Sequence, residues 1–215
     1  MKAIQEAPEQ RAFIRARPVV PRELSGITPL MRAIIDKKHD IVSTLLKNKA
    51  DVHVTNSRGQ DAIHLAYKDL RCAQLLVDAG ADATKPDTRG MTALVYAARY
   101  GLVESVRFFM NCGTDLELRD SLGFTALTWA AASGHDRVVK ILIEANASID
   151  VRDGNQSTAL MLAAQDGWTT VARVLLDAKA DLCASNEDGA TALMWAASAG
   201  HNAIVEMFLN AFKST

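Results

Sequence analysis

Five histidines and three cysteines are the residues of this 215-residue chain whose types could ligate a metal or act in catalysis. Zinc ligands occur at short, fixed spacings such as C-x-x-C or H-x-x-x-H, and these residues have no such spacing. The phosphate-loop, G-x-G-x-x-G, HExxH and G-x-S-x-G motifs are also missing. The sequence therefore predicts no catalytic residue, no cofactor site and no metal site. The residues are His39, His53, His64, His135, His201, Cys72, Cys112 and Cys183.

The cysteines and the apolar pattern bear on where the chain works. An odd number of widely spaced cysteines is typical of a reducing compartment, so we expect a cytoplasmic protein, with the nucleus as the alternative. No run of 18 apolar residues occurs, and we therefore expect no membrane insertion. Apolar residues make up 49% of the chain and charged residues 23%, which is typical of a folded protein.

Charge is distributed unevenly along the chain, although the net charge is only −1. Residues 1–113 contain 17 Lys or Arg and 12 Asp or Glu, whereas residues 114–215 contain 7 and 13. A partner lying along the molecule should carry complementary segments. The basic residues are dispersed and form no recognition motif, which argues against a nucleic acid partner.

Two of the histidines recur at one position of an internal repeat, and that repeat defines the elements that place all of these residues. His135 and His201 follow a glycine in units whose starts lie 33, 31, 33, 33 and 33 residues apart. We expect both histidines to be structural. The six units begin at Gly26-Ile-Thr-Pro-Leu-Met, Gly59-Gln-Asp-Ala-Ile-His, Gly90-Met-Thr-Ala-Leu-Val, Gly123-Phe-Thr-Ala-Leu-Thr, Gln156-Ser-Thr-Ala-Leu-Met and Gly189-Ala-Thr-Ala-Leu-Met.

Each unit predicts two short helices. Glycine before the motif suits a turn with positive φ, and the following threonine is a helix N-cap. A Gly-His pair such as Gly134-His135 then ends the first helix. Apolar residues at helical spacing, such as Val138, Val139 and Leu142, form one face of the second helix. One unit cannot bury both faces, so neighbouring units must stack around a shared core.

The pattern G-x-T-A-L-x-x-A-A-x-x-G-H-x-x-V-V-x-x-L, which runs from Gly123 to Leu142, resembles the ankyrin repeat. The resemblance implies an all-α solenoid of helix-turn-helix units joined by β-hairpin-like loops. It covers residues 24–215, in repeats of about 24–56, 57–87, 88–120, 121–153, 154–186 and 187–215. Residues 1–23 precede the repeats and are predicted to form a partly ordered arm.

Several units depart from this pattern. The second unit is two residues short between Tyr67 and Leu75, which predicts a truncated first helix or an altered turn. The fifth unit has Gly154 two positions before Gln156, so its turn glycine is expected to be displaced. It also has Trp168 where histidine is usual. We expect His64 in the second unit to bond the backbone of a neighbouring unit.

The resemblance implies that the hairpin tips and first helices line a concave surface that holds a protein partner. Tyr100, Leu122 and Phe124 could form one apolar patch there, edged by Arg99, since aromatic residues and arginine are frequent interface anchors. The alternative is that Leu122 and Phe124 fold back on their own hairpin. All candidate partner-binding residues are Arg89, Met91, Arg99, Tyr100, Leu122, Phe124, Gln165, Asp166 and Asp188.

The sequence thus predicts a non-catalytic protein-interaction scaffold or adaptor, whose partner it does not identify. The alternative is a regulatory module or subunit of an enzyme or a channel. The last unit ends in apolar residues that include Leu209 and Phe212, and these predict weak self-association through the C-terminal end.

Overall fold

The structure is a computed structural model that describes residues 26–213, and within this part of the chain twelve α-helices follow one another in pairs. The same residues contain no β-strand; one isolated antiparallel bridge joins Ser185 to Thr191. The all-α fold class is therefore confirmed, while the predicted arm of residues 1–23 lies outside the described residues. The helices are α1 (Pro29–Ile35), α2 (His39–Lys47), α3 (Ala62–Leu65), α4 (Leu70–Asp78), α5 (Ala93–Arg99), α6 (Val103–Asn111), α7 (Ala126–Ala132), α8 (Asp136–Glu144), α9 (Ala159–Gln165), α10 (Thr169–Asp177), α11 (Ala192–Ser198) and α12 (Asn202–Lys213).

A threonine N-cap begins most of the first helices, as the sequence predicts. In each, the hydroxyl oxygen accepts a hydrogen bond from the backbone N–H three residues later, over 3.2 to 3.4 Å. This bond satisfies one of the amide groups that the first turn leaves without a helical partner. The threonines are Thr28, Thr92, Thr125, Thr158 and Thr191.

The helices form two parallel rows that share one core. The first helices of successive units pack against one another, from α1 through α11 in odd numbers, and the second helices form the other row. Alanines that are fully buried, such as Ala97, Ala130 and Ala163, let the first helices approach closely. Larger side chains such as Phe109 and Leu142, also fully buried, fill the space between the rows. Burying each of these larger side chains contributes roughly 2 to 3 kcal/mol.

The second unit has the truncated first helix that its missing residues predict. Its α-helix α3 contains only Ala62–Leu65 and continues as a 3-10 turn over Ala66–Lys68. Asp69 then caps α4 by accepting a hydrogen bond from the backbone N–H of Cys72 at 3.2 Å. The chain thus reaches its second helix without the Gly-His pair.

The fifth unit does not have the displaced turn that its glycine suggests. Gln156 itself occupies the left-handed region with φ of 61°, at the position where the fourth unit has Gly123 with φ of 81°. Gly154 is outside that region. The hairpin geometry shared with the neighbouring units therefore decides the conformation, and Gln156 bears the strain of it.

The glycine that ends a first helix contacts an aromatic ring of the next unit. A Cβ placed on Gly101 would lie 2.6 Å from the imidazole of His135, and one on Gly134 would lie 2.7 Å from the indole of Trp168. A ring nitrogen of each side chain also lies within hydrogen-bond distance of a backbone carbonyl in the preceding unit. His135 Nε2 lies 3.0 Å from the oxygen of Arg99. Trp168 Nε1 donates to the oxygen of Ala132 at 3.0 Å, so the tryptophan takes the place of histidine.

His64 does not follow that arrangement, and the prediction that it bonds a neighbouring unit is wrong. Its Nδ1 lies 2.8 Å from Oδ1 of Asp61, the N-cap of its own helix. Both side chains are buried, and neither His64 Nε2 nor Asp61 Oδ2 has a hydrogen-bond partner within residues 26–213. A carboxylate at the cap position therefore attracts the imidazole within the unit.

Candidate partner-binding groove

Every hairpin is built on one Asn or Asp whose Oδ1 accepts two backbone hydrogen bonds. In the hairpin that leads into the third unit, for example, Asp87 Oδ1 accepts from the amides of Arg89 at 2.8 Å and Met91 at 3.0 Å. These turns account for the carboxylate or amide side chain that recurs in each hairpin. The five residues at this position are Asn56, Asp87, Asp120, Asp153 and Asn186.

Backbone hydrogen bonds also join each hairpin to the next. Ser121 N donates to Arg89 O at 2.8 Å, Gly154 N to Leu122 O at 2.9 Å, and Glu187 N to Asn155 O at 3.2 Å. The hairpin tips are therefore held in a row as one surface, although they form no continuous sheet.

Two hairpins use the second oxygen of the turn aspartate to hold an aromatic side chain of their own unit. Asp87 Oδ2 accepts from the hydroxyl of Tyr96 at 2.7 Å, and Asp120 Oδ2 accepts from Nε1 of Trp129 at 2.8 Å. Burial, with the hydrogen bond to Asp87, raises the pKa of Tyr96, so this hydroxyl stays protonated and donates. We call these two the closed hairpins.

The Tyr96 hydroxyl also links three hairpin residues. It accepts from Gln60 Nε2 at 2.7 Å and from Arg89 Nη2 at 2.8 Å while it donates to Asp87. Arg89, predicted as a partner-binding residue, is thus fixed at one end to a buried network and exposed elsewhere. A rigid, partly exposed arginine loses little freedom when a partner binds.

Aromatic rings and cations form a continuous row beside the hairpins. Tyr100 stacks on Tyr67 with ring centroids 5.3 Å apart, and Lys68 Nζ lies 4.7 Å from the Tyr100 ring. The Arg99 guanidinium lies 5.9 Å from the Tyr100 centroid and 4.3 Å from that of Trp129. Phe124 then meets Trp129 edge to face at 4.9 Å. We call this row, Tyr67, Lys68, Arg99, Tyr100, Phe124 and Trp129, the aromatic row.

A pocket of about 600 Å³ continues the groove beyond Phe124, across the fourth, fifth and sixth units. Residues of three successive hairpins and of helices α9 and α11 line it. Its apolar side consists of Leu122, Phe124, Leu162 and Trp195, and its acidic side of Asp153, Glu187 and Asp188. We call it the acidic pocket.

The structure brings most of the predicted residues to this groove. Arg99, Tyr100 and Phe124 belong to the aromatic row, and Leu122, Gln165 and Asp188 line the acidic pocket. Tyr100 and Leu122 are exposed to 48% and 54%, while Phe124 is half-buried against Trp129. The ring of Phe124 thus packs on helix α7, whereas Leu122 is open to solvent. Asp166 is exposed at the end of α9 and lines neither feature.

Met91 is a correction to the predicted set. Its side chain is only 1% exposed and belongs to the hydrophobic core, so no partner reaches it. The residue after the turn glycine points inward here, whereas Phe124 at the same position of the next unit stays half-buried. The sequence pattern places both residues in the hairpin but does not determine which way each side chain turns.

Three members of the aromatic row were not predicted from the sequence. Tyr67 and Lys68 lie in the shortened second unit, where the repeat alignment gave no guide to their direction. Trp129 of α7 is half-buried, with its indole N–H bonded to Asp120. A shared position nine residues after the turn aspartate, occupied by Tyr96 and Trp129, is the signal that could have revealed the closed hairpins.

One group of possible metal ligands exists among the described residues although their sequence spacing did not suggest it. Ligand atoms of His39, Asp69 and Cys72 all lie within 4.8 Å of one another. His39 Nε2 is already 2.6 Å from Asp69 Oδ2. Burial would raise the pKa of Asp69, but hydrogen bonds from His39 and Cys72 outweigh it and lower that pKa. Burial raises the pKa of Cys72 to about 12.

His39 and Asp69 thus join the first two units through a side-chain hydrogen bond. A thiol with so high a pKa stays protonated at neutral pH and is a poor ligand and nucleophile, as its core position predicts. Asp69 stands where the last three units have a histidine or tryptophan ring, and it meets His39 of the preceding unit. The pair thus replaces the Gly-ring contact between the units.

Comparison with known families agrees with this geometry. The chain matches the family model for ankyrin repeats (3 copies) over residues 12–87, 67–153 and 146–214. These segments cover most of its length, and the protein belongs to the ankyrin repeat family. None of the helices within residues 26–213 has the length and apolar character needed to cross a membrane.

Two individual proteins show how far the likeness extends. An ankyrin repeat protein of fowlpox virus (strain NVSL), FPV223, is 28% identical over 103 residues, which are 46% of this chain and 72% of the viral protein. The crystal structure of the ankyrin repeat domain of Bcl-3, described as a unique member of the IkappaB protein family, superposes with a TM-score of 0.76. That likeness has 27% sequence identity and covers 87% of each chain.

Proposed function

We propose that this protein is a non-catalytic binding module that holds a protein partner in the groove of hairpin tips and first helices. Ankyrin repeats are in general modules for protein–protein interaction, and membership of that family supports the proposal. The aromatic row and the acidic pocket supply its contact surface.

The observation that carries the proposal is the continuity of that surface. The aromatic row begins in the second unit, and Phe124 belongs both to the row and to the acidic pocket, which ends in the sixth unit. Stacking between Tyr67, Tyr100, Arg99 and Trp129 holds these side chains in place before a partner arrives. Aromatic and arginine side chains that are already ordered lose little entropy on binding.

The chemistry of the groove also favours binding over catalysis. The oxygens of Asp87 and Asp120 are both engaged, one in the turn and the other by Tyr96 or Trp129. Carboxylates held in this way are turn-forming groups, whereas an acid or base in catalysis must exchange protons with a substrate.

Capture from a native lysate tests the proposal. The double variant Tyr100→Ala with Phe124→Ala removes one exposed and one half-buried ring from the groove. We expect it to lose capture of the partner seen with the unchanged chain, while thermal unfolding shows that it still folds. A matched control replaces two apolar residues on second helices, Ile41→Ala with Leu70→Ala, which are exposed to 47% and 37%.

Equal capture by the groove variant and by the unchanged chain would refute the proposal. Loss of capture by the control variant as well would assign binding to the second-helix face instead. The identity of the captured protein distinguishes an adaptor from a regulatory module, because recovery of a catalytic or channel subunit supports the latter.

Two further proposals concern the setting in which the protein acts. Cys72, Cys112 and Cys183 form no disulfide with one another, which supports a reducing compartment such as the cytoplasm. Leu209 and Phe212 of α12 are each 44% exposed, which supports weak self-association through the last helix. Sedimentation at increasing protein concentration tests this, and a strict monomer would refute it.

A further inference from the structure

Asp153 differs from the aspartates of the two closed hairpins in the use of its second oxygen. Its Oδ1 accepts from the amides of Asn155 at 2.8 Å and Ser157 at 2.7 Å, as in the other turns. Its Oδ2 has no hydrogen-bond partner among the described residues. The residue is only 5% exposed and lines the acidic pocket.

The cause is the residue nine positions later. Tyr96 and Trp129 stand at that position in the third and fourth units and donate to Asp87 and Asp120. In the fifth unit it is Leu162, which has no polar hydrogen to donate. We call the hairpin of Asp153 the open hairpin.

The negative charges around Asp153 Oδ2 favour a positively charged hydrogen-bond donor. Glu187 and Asp188 of the next hairpin line the same pocket, and none of its described lining residues is basic. Within residues 26–213 the buried polar atoms that lack a hydrogen-bond partner are Asp61 Oδ2 and His64 Nε2, so the unpaired Asp153 Oδ2 is open to the pocket. An ammonium or guanidinium group that enters the pocket can donate to this oxygen.

The rest of the pocket can hold the carbon chain of such a cation. Leu122, Phe124 and Leu162 form its apolar side. The indole of Trp195 also lines it, and its Nε1–H makes no hydrogen bond among the described residues. Lysine and arginine combine a long apolar stem with a charged head, which suits these two sides of the pocket.

We propose that the acidic pocket receives a lysine or arginine side chain from an extended, basic segment of the protein partner. An apolar neighbour in that segment packs on Leu122 and Phe124, and a partner backbone carbonyl accepts from Trp195 Nε1. This assignment rests on the proposed function, since it specifies the chemistry of the partner that the groove holds.

A random peptide library displayed on phage and selected on the full chain tests the assignment. We expect the selected peptides to contain lysine or arginine beside an apolar residue. They should also shift the indole N–H signal of Trp195 in an NMR spectrum. Replacing the basic residue by a neutral analogue, citrulline for arginine or norleucine for lysine, should weaken binding roughly tenfold or more.

The variant Asp153→Asn replaces the unpaired oxygen by an uncharged amide group and so tests its contribution to peptide binding. Asparagine forms the same turn at Asn56 and Asn186, so the variant should fold. We expect it to weaken the selected peptides roughly tenfold or more and to remove most of the difference between the basic and neutral forms. The matched control Asp177→Asn, at the end of α10, removes one negative charge elsewhere and should leave the affinity unchanged.

The outcomes separate this assignment from the proposed function. Peptides that shift Trp195 but lack a basic residue, or that bind Asp153→Asn as well as the unchanged chain, overturn the assignment and leave protein binding in the groove intact. A library that yields no enriched sequence also overturns the assignment, because a pocket that binds a lysine or arginine side chain should enrich peptides that contain one. Binding unaffected by both Asp153→Asn and the Tyr100 and Phe124 double variant counts against the proposed function as well.

Discussion

The closed hairpins of the third and fourth units and the open hairpin of the fifth unit share one backbone and differ in one partner. In all three, an aspartate Oδ1 holds the turn by accepting two amide hydrogen bonds. Asp87 and Asp120 give their second oxygen to a ring of their own unit, whereas Asp153 has Leu162 at the equivalent position. The backbone repeat therefore fixes the shape, and a single side chain decides whether a carboxylate serves the fold or faces the groove.

The difference also locates two kinds of surface. Where the ring is bonded to the turn, the groove presents an ordered aromatic row with arginine and lysine between the rings. Where the ring is missing, the groove has a pocket into which the unpaired carboxylate oxygen of Asp153 is open. Variants of these hairpins test the difference, and their expected effects on stability decrease from Tyr96→Phe to Gln156→Gly.

Removing the hydroxyl that completes a closed hairpin should have the largest effect. Tyr96→Phe leaves Asp87 Oδ2 and Gln60 Nε2 without partners although both residues are nearly buried. We expect the free energy of unfolding to fall by about 3 kcal/mol. Urea denaturation measures the loss, and Tyr100→Phe, on an exposed ring, should change it by less than about 0.5 kcal/mol. Equal losses in the two variants would show that the closed hairpin has no special stability.

The same Asp→Asn change should affect the closed and the open hairpin differently. Asp120→Asn can place an amide against the indole N–H of Trp129, and we expect a loss of about 1 to 3 kcal/mol. Asp153→Asn disturbs no hydrogen bond of Oδ2 among the described residues and should change stability by less than about 0.5 kcal/mol. Urea denaturation of both proteins provides the comparison. A large loss in Asp153→Asn would mean that its second oxygen has an internal role.

Introducing a donor should convert the open hairpin into a closed one. Leu162→Tyr places a hydroxyl at the position from which Tyr96 reaches Asp87, so we expect stability to rise by about 1 kcal/mol. It should also weaken binding of the selected basic peptides, because Asp153 is then occupied. Leu162→Phe fills similar space without a hydroxyl and should give no such gain in stability. Identical stability of the Tyr and Phe variants would contradict the role assigned to this position.

Relieving the strained turn of the open hairpin should have the smallest effect. Gln156 has φ of 61° where the fourth unit has glycine, and the left-handed conformation is costly for a residue with a Cβ. Gln156→Gly should therefore raise the free energy of unfolding by roughly 0.5 to 1 kcal/mol, measured by urea denaturation. Asn155→Gly, at a neighbouring residue with ordinary φ, serves as the control and should give no gain. A loss of stability in Gln156→Gly would show that its side chain contributes more than its strain costs.

Local signals in the sequence predict the repeating part of this protein. Threonine caps, turn glycines and apolar residues at helical spacing are local signals, and they sufficed to predict the helix pairs, their stacking and the truncated α3 in the second unit. The repeat register also pointed to the hairpin residues of the groove, because equivalent positions in stacked units share one face.

The contacts of individual side chains within these repeats depend on tertiary packing. Met91 and Phe124 occupy the same position of the repeat, yet the first is buried in the core and the second packs on Trp129. His39 pairs with Asp69, which is 30 residues further along the chain. The second oxygen of Asp153 is unpaired because Leu162 stands nine residues later. Such contacts arise from packing between units and across one hairpin, whereas the helices depend on signals within a few residues.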